Sequence, residues 1–271
     1  MRRLMVVTTA LLLPFGVVAC SSSGEVRSDS GPETRSTASS ELFDPDGSSS
    51  EDSASTTADV DVSPSTSPVI AVVGTVTVPE GDPGELSVVL TGSVDDSGSL
   101  PVIVRNRTDE TVYAVEASAT ARSADGSLAG SGSSQGFAPS TVAPGEWAFG
   151  YVYFGGDIPA DAEFDITATA ESDSAFIGSV DVTPVETNAV PSEFSGQQIV
   201  GIVENDTDQE VSGPIDVQVL CFDQAGTAIV GTHGGFTDAD SVAAGGTASF
   251  SVDLFDDPCP VYAVGASGYD F

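Results

Sequence analysis

Residues 199–222 read IVGIVENDTDQEVSGPIDVQVLCF, and the reading of this stretch decides the fold. Ile199 to Glu204 is a short apolar run, Asn205-Asp206-Thr207-Asp208 is a turn signal, and Val211 to Phe222 is a second run. In that second run Ile215, Val217, Val219 and Cys221 recur at every other position, which places them on one face of a β-strand. Asn, Asp and Thr between the runs close a turn through local side-chain bonds. Two strands, one turn and one buried face are therefore expected.

The same grammar extends outward in both directions. Ile70 to Val78, Leu86 to Val94, Val102 to Arg105, Val112 to Ala121, Trp147 to Phe154 and Phe164 to Ala170 read as strands. A polar, Pro-punctuated joint follows Thr183, and Thr227 to Val230, Thr247 to Leu254 and Val261 to Ala266 complete the series. No segment has a capped 3.6-residue period. Many short strands at regular spacing predict an all-β chain of antiparallel β-sandwiches.

Two halves repeat one another. Asn106-x-Thr108-Asp109-x-x-Val112 recurs as Asn205-x-Thr207-Asp208-x-x-Val211, Val142-Ala143-Pro144-Gly145 recurs as Val242-Ala243-Ala244-Gly245, and Asp125-Gly126 corresponds to the turn from Asp223 to Gly226. Three markers in one order at nearly one offset indicate a tandem duplication, with a first domain over 69–184, enlarged by N-terminal strands, and a second over 185–271. Asn106-Arg107-Thr108 and Asn205-Asp206-Thr207 also match a glycosylation acceptor, but both occupy the turn of the repeat, where Asn has a structural use.

The second half resembles the FxLYD-type extracellular domains of prokaryotic lipoproteins. The matching residues are Val200-Gly201-Ile202-Val203-Glu204-Asn205, the run Val217 to Gly226, and Ala244-Gly245-Gly246 before Phe250. The naming motif falls on Val219 to Asp223, where the final Asp is literal and the rest is substituted in kind; in the first half it falls on Ala119 to Ser123 and is more degenerate. The resemblance covers 198–271 well and 100–171 loosely. It implies immunoglobulin-like sandwiches outside the cell and transfers no catalytic or binding residue.

The N-terminus gives the address. Arg2 and Arg3 precede an apolar run from Leu4 to Ala19 that ends in Val17-Val18-Ala19-Cys20. At about 16 residues the run is short of the roughly 20 needed to span a membrane, and it reads as an export signal over 1–19. Its end resembles the bacterial lipobox, which implies that Cys20 carries a lipid anchor on the extracytoplasmic face of the cell membrane. Residues 20–68 contain 21 Ser or Thr and ten acids. Such a segment cannot bury a core and is expected to be a disordered tether with a reach of roughly 40 Å.

The remaining cysteines, Cys221 and Cys259, both fall in the second half and are expected to form a disulfide, since an exported chain meets oxidising surroundings. Two cysteines and the single histidine, His233, are too few ligands for a zinc site. His233 sits in a Gly-rich loop signature with no nucleophile elbow elsewhere in the chain, so no Ser-His-Asp triad is readable. No catalytic residue, metal or cofactor is assigned.

Forty-one acids stand against seven Arg and no Lys, giving a net charge of −34. That excludes nucleic acid as a partner, because phosphate affinity depends on clustered cations. The acids are spread along the chain. Asp95-Asp96, Asp238 with Asp240, and Asp256-Asp257 are places where calcium would bridge turns, and Asp44 to Asp52 superficially resembles a calcium loop without its required Gly. One surface candidate is Trp147, Phe149, Tyr151 and Tyr153, which share a strand face. It reads either as core, packed opposite the thin face of Ala117, Ala119 and Ala121, or as a stacking platform for a cell-envelope protein or glycan. The functional expectation is a non-enzymatic interaction or structural module. Its rivals are a cation-binding surface protein and a glycan hydrolase using two carboxylates.

Overall fold

A computed structural model describes residues 69–174 and 178–269, which lie within one compact unit, 56–271. The expected export signal, the expected lipid anchor at Cys20 and the expected tether lie outside the described residues. Fifteen strands and no α-helix are described, so the all-β expectation holds. After β1 (Ile70–Val73) and β2 (Leu86–Thr91) come β3 (Ser99–Asn106), β4 (Val112–Arg122), β5 (Leu128–Ala138), β6 (Thr141–Val142), β7 (Trp147–Phe154) and β8 (Glu163–Glu171). β9 (Ser179–Ser192) precedes β10 (Gly196–Glu204), β11 (Val211–Phe222), β12 (Ile229–Phe236), β13 (Ser241–Val242), β14 (Thr247–Asp253) and β15 (Val261–Tyr269).

Six strands of the first repeat, β3 to β8, correspond in order to β10 to β15. The pairings match too. β3 lies on β7 as β10 lies on β14, and β4 meets β5, β6 and β8 as β11 meets β12, β13 and β15. The turn Asn supports the duplication at atomic level. Asn106 Nδ2 donates to the carbonyls of Glu110 and Val142 at 2.8 and 2.9 Å, and its Oδ1 accepts from the amide and hydroxyl of Thr108 at 3.0 and 2.7 Å. Asn205 makes the same four bonds to Gln209, Val242 and Thr207 at 2.8, 2.8, 3.0 and 2.7 Å. Both Asn are fully buried, which leaves neither amide free to take a glycan.

The first sheet runs β2-β3-β7-β5-β4, with β8 and β6 on β4. The second runs β12-β11-β15-β9-β10-β14, with β1 on β15 and β13 on β11. Two strands sit where the sequence did not place them. β1 adds to the second repeat's β15, with Ile70 opposite Gly265 and Val73 opposite Tyr262. β9 covers the expected boundary at 184/185: its start pairs with β15 and the remainder with β10, so it turns a corner between two layers. Pro184 and Pro191 made this region read as a joint, but beyond residue 182 β9 pairs only with β10, and a strand edge tolerates Pro.

β5 also went unread, because LAGSGSSQGFA looks like loop. Its small residues answer to a close approach by β7. A Cβ on Gly132 would stand 2.5 Å from the Tyr153 carbonyl oxygen, and one on Gly150 would meet the carbonyl of Gly136.

Three apolar clusters hold the molecule. The first packs Ala117, Ala119 and Ala121 against Ala148, Val152 and Phe154. The second packs Ile215, Val217 and Val219 against Phe250, Val252 and Leu254. Within it Cys221 and Cys259 form a disulfide with Cα atoms 4.9 Å apart. The third joins the repeats: Ile103, Trp147 and Phe149 from the first meet Ile70, Leu220, Phe222 and Ala263 on the second sheet.

Candidate functional site

Strand alternation divides β7 into two faces. Ala148, Val152 and Phe154 face the first core and meet the alanines there, while Trp147, Phe149, Tyr151 and Tyr153 point the other way. The aromatic stripe therefore meets neither of its expected partners along its whole length. Trp147 and Phe149, with ring centroids 6.0 Å apart, are buried against the second repeat. Tyr151 is half-buried where that interface opens, and Tyr153 is 45% exposed at the rim.

The interface is fastened at two edges. On one, the segment after β1 crosses between the sheets: Thr77 N–H donates to Gly226 O at 2.8 Å, Arg105 Nη1 donates to Val78 O at 3.1 Å, and Glu80 pairs with Arg105 at 3.4 Å and with Arg107. On the other, the Asp181 carboxylate on β9 accepts the amides of Ser140 and Thr141 at 2.7 and 3.0 Å. Burial pushes the Asp181 carboxyl above its usual value, against the opposing effect of those bonds.

Beyond Phe149 the two repeats part to leave a cleft of about 910 Å³, lined by β4, β5 and β7 on one side and by β11, β12 and β15 on the other. Asp95, Glu116 and Asp216 supply its carboxylates, Tyr151, Gln218, Gln135 and several serines add further polar groups, and Phe236, 60% exposed, contributes an apolar wall. Asp216 stands on the outward face of β11, and burial raises its carboxyl above the ordinary value while Gln218 Nε2, donating at 2.9 Å, opposes the rise. Burial first, then the charges of Asp216 and Asp95, pushes the Tyr151 hydroxyl up as well. Gln218 Oε1 is buried with no hydrogen-bond partner. A buried acceptor left unpaired is costly and marks a place for a donor.

No Arg lines the cleft, and His233, which also lines it, has its pKa lowered by burial. The site thus holds three carboxylates and no Arg, with the rings of Tyr151 and Tyr269 on its wall. Its chemistry suits a ligand that brings donors or positive charge. Asp95 Oδ1 is engaged in its own turn by Ser97 and Ser99. Among the described residues no group of three or more His, Cys, Asp or Glu is disposed to hold a metal ion.

Of the residues singled out from sequence, Tyr151, Asp95 and His233 reach the cleft, His233 from β12 rather than from the expected loop, Tyr153 lines a neighbouring depression beside Asp95, Asp96 and Asp157, and Cys221 and Cys259 lie in a core. Asp216 and Gln218 were missed. A signal for them exists: in the duplicate alignment they replace Glu116 and Ser118, and the same face then continues as Leu220 and Phe222 where the first repeat has Thr120 and Arg122. The chain matches no known family model and no curated relative.

Proposed function

We propose that the protein is a lipid-anchored, extracytoplasmic and non-catalytic interaction module of the immunoglobulin-like kind, and that its ligand seat is the cleft between the two repeats. The lipobox-like end at Cys20 and the acidic tether support the address, and the FxLYD resemblance supports the setting. The observation that carries the binding reading is the buried, unpartnered Gln218 Oε1 beside Asp216 and Tyr151 in an open cleft. A ligand with amine or hydroxyl donors, such as a glycan or a basic segment of an envelope protein, satisfies that acceptor and stacks on the Tyr151 ring.

A screen of the whole protein against glycans and cationic peptides tests this, with Tyr151→Ala and Asp216→Asn as variants. Capture lost in both variants at unchanged thermal stability supports the cleft; capture indifferent to both overturns it. Unchanged membrane partitioning of Cys20→Ser overturns the anchor.

One observation favours a second reading. Asp216, whose carboxyl burial raises above its usual value, and Asp95 line the same cleft, and glycoside hydrolysis uses two carboxyl groups that flank one bond. Glycan turnover abolished by Asp216→Asn would replace the binding module with a hydrolase.

A further inference from the structure

Two loops at one end of the second repeat present aromatic rings to solvent. Phe194, in the β9–β10 turn, is 97% exposed, and Phe255, just after β14, is 73% exposed. The loops are bonded to each other: Asp256 N–H donates to Ser195 O at 3.1 Å and Leu254 N–H to Gln197 O at 3.0 Å. Ser195 is 97% buried between them, its hydroxyl bonded to Asp253 Oδ1 at 2.5 Å, and Phe194 N–H donates to Ser192 Oγ at 3.3 Å. Buried Leu254 anchors the second loop on one side and the Cys221–Cys259 disulfide on the other.

The backbone at Phe255 is unusual. Phe255 and Asp256 have φ of +50° and +67°, a conformation that non-glycine side chains rarely adopt and that is disfavoured for a bulky residue. A glycine would fit this bend without strain. A ring held outward against that strain, on a rigid platform beside a second exposed ring, has the features of a preorganised binding anchor.

Charge identifies the occupant. Glu193, Asp253, Asp256 and Asp257 border the two rings, and residues 185–271 contain no Arg or Lys. His233, whose Nε2 lies 3.7 Å from Asp257 Oδ2, has its pKa lowered by burial and adds no full charge near neutral pH. An anionic lipid surface is repelled by such a rim, and so is a second molecule of this acidic chain. We propose that the paired loop tip carrying Phe194 and Phe255 is a docking surface for a basic protein, whose apolar pockets receive the two rings while its Lys or Arg side chains meet the surrounding carboxylates.

The test uses the whole protein and three synthetic helical peptides: one of Arg and Leu, one of Arg and Ser with equal charge, and one of Glu and Leu. Phe194→Ser with Phe255→Ser removes both rings and no charge. The Arg-Leu peptide is expected to bind the native protein at least about tenfold more tightly than it binds the variant. The Arg-Ser peptide should not distinguish the two proteins, and crosslinks to the Arg-Leu peptide should map to 192–196 and 254–258. Phe255→Gly supplies an independent readout: it should raise Tm by about 2–4 °C by releasing strain while it weakens binding. Equal affinity of both proteins for the Arg-Leu peptide, or crosslinks elsewhere, overturns the proposal. So does self-association abolished by the double variant, or binding of the native protein to phosphatidylserine vesicles through these rings.

Discussion

Strands β7 and β14 occupy equivalent places in the two repeats, and only one of their faces is alike. Toward the cores, Ala148, Gly150, Val152 and Phe154 correspond to Ala248, Phe250, Val252 and Leu254. Away from them, Trp147, Phe149, Tyr151 and Tyr153 correspond to Thr247, Ser249, Ser251 and Asp253, all four of which are exposed. β4 and β11 show the reciprocal change. Glu116, Ser118, Thr120 and Arg122 point outward from the first repeat, whereas Asp216, Gln218, Leu220 and Phe222 point outward from the second. The inward faces answer to a shared sandwich. The outward faces answer to whichever neighbour each repeat meets, so the apolar ones sit on β7 and β11, where the third cluster lies.

Exchanging those faces should have the largest effect. Trp147→Thr with Phe149→Ser gives β7 the outward face of β14, and the loss is expected to be on the order of 6 kcal/mol, below the sum of two large-to-small core changes because the rings touch. The reciprocal Thr247→Trp with Ser249→Phe should shift stability by less than about 0.5 kcal/mol, as exposed positions do. Denaturant unfolding of the native protein and the two variants measures both. A native protein that unfolds in two separate transitions would break the claim that the third cluster joins the repeats.

The second contrast is covalent. Ala121 in the first repeat stands where the second has Cys221, paired with Cys259 across 38 positions. Cys221→Ala with Cys259→Ala should cost about 4 kcal/mol in the chain-entropy account, and hydrogen exchange should report the loss first in β11 and β15. Loss appearing equally in β4 and β8 would mean that the interface couples the repeats more tightly than either core does.

These contrasts also explain what could be read beforehand. Ile215, Val217, Val219 and Cys221 alternate cleanly, so β11 and the burial of Cys221 were visible in the sequence. β5 was not, since the Gly and Ser that admit the β7 backbone are also the residues of loops. β9 was hidden by Pro184 and Pro191, whose tolerance depends on an edge position that pairing alone decides. The aromatic stripe was found, but its burial depended on the second repeat's β11 and β15, about seventy or more residues away in sequence. The cleft follows from that same docking, which is why Asp216 and Gln218 drew no notice as single residues.

Where the repeats agree, their mutants should agree. Asn106→Ala and Asn205→Ala each remove four bonds around a buried turn and leave carbonyls and an amide unpaired. Each is expected to lose about 2–3 kcal/mol, with the two losses within about 0.5 kcal/mol of one another. A marked difference, measured by chemical unfolding, would show that the turn serves only one repeat.

The smallest contrast is at Gly132 of β5 and its counterpart His233 of β12, which lie opposite the equivalent Ala119 and Val219. The His233 side chain is 8% exposed, and burial lowers its pKa below 6.5, although Asp257 and Asp95 pull the other way. The folded protein therefore resists a proton that the unfolded chain accepts near 6.5. Its contribution is intact above that value and is lost as pH falls through 6.5 toward the lowered folded value. Asp181 and Asp216 carry the opposite sign. Their raised carboxyl values favour the protonated folded form, so their contribution grows as pH falls through those values and is fully present below 3.8. Stability should consequently dip first on mild acidification, and His233→Gly, which copies the first repeat, should remove the dip while leaving the carboxyl-driven part of the profile. The lone imidazole makes the direct check simple: its NMR titration should give a midpoint below 6.5, and a midpoint above it would mean that Asp257 and Asp95 outweigh burial at this edge of the second sandwich.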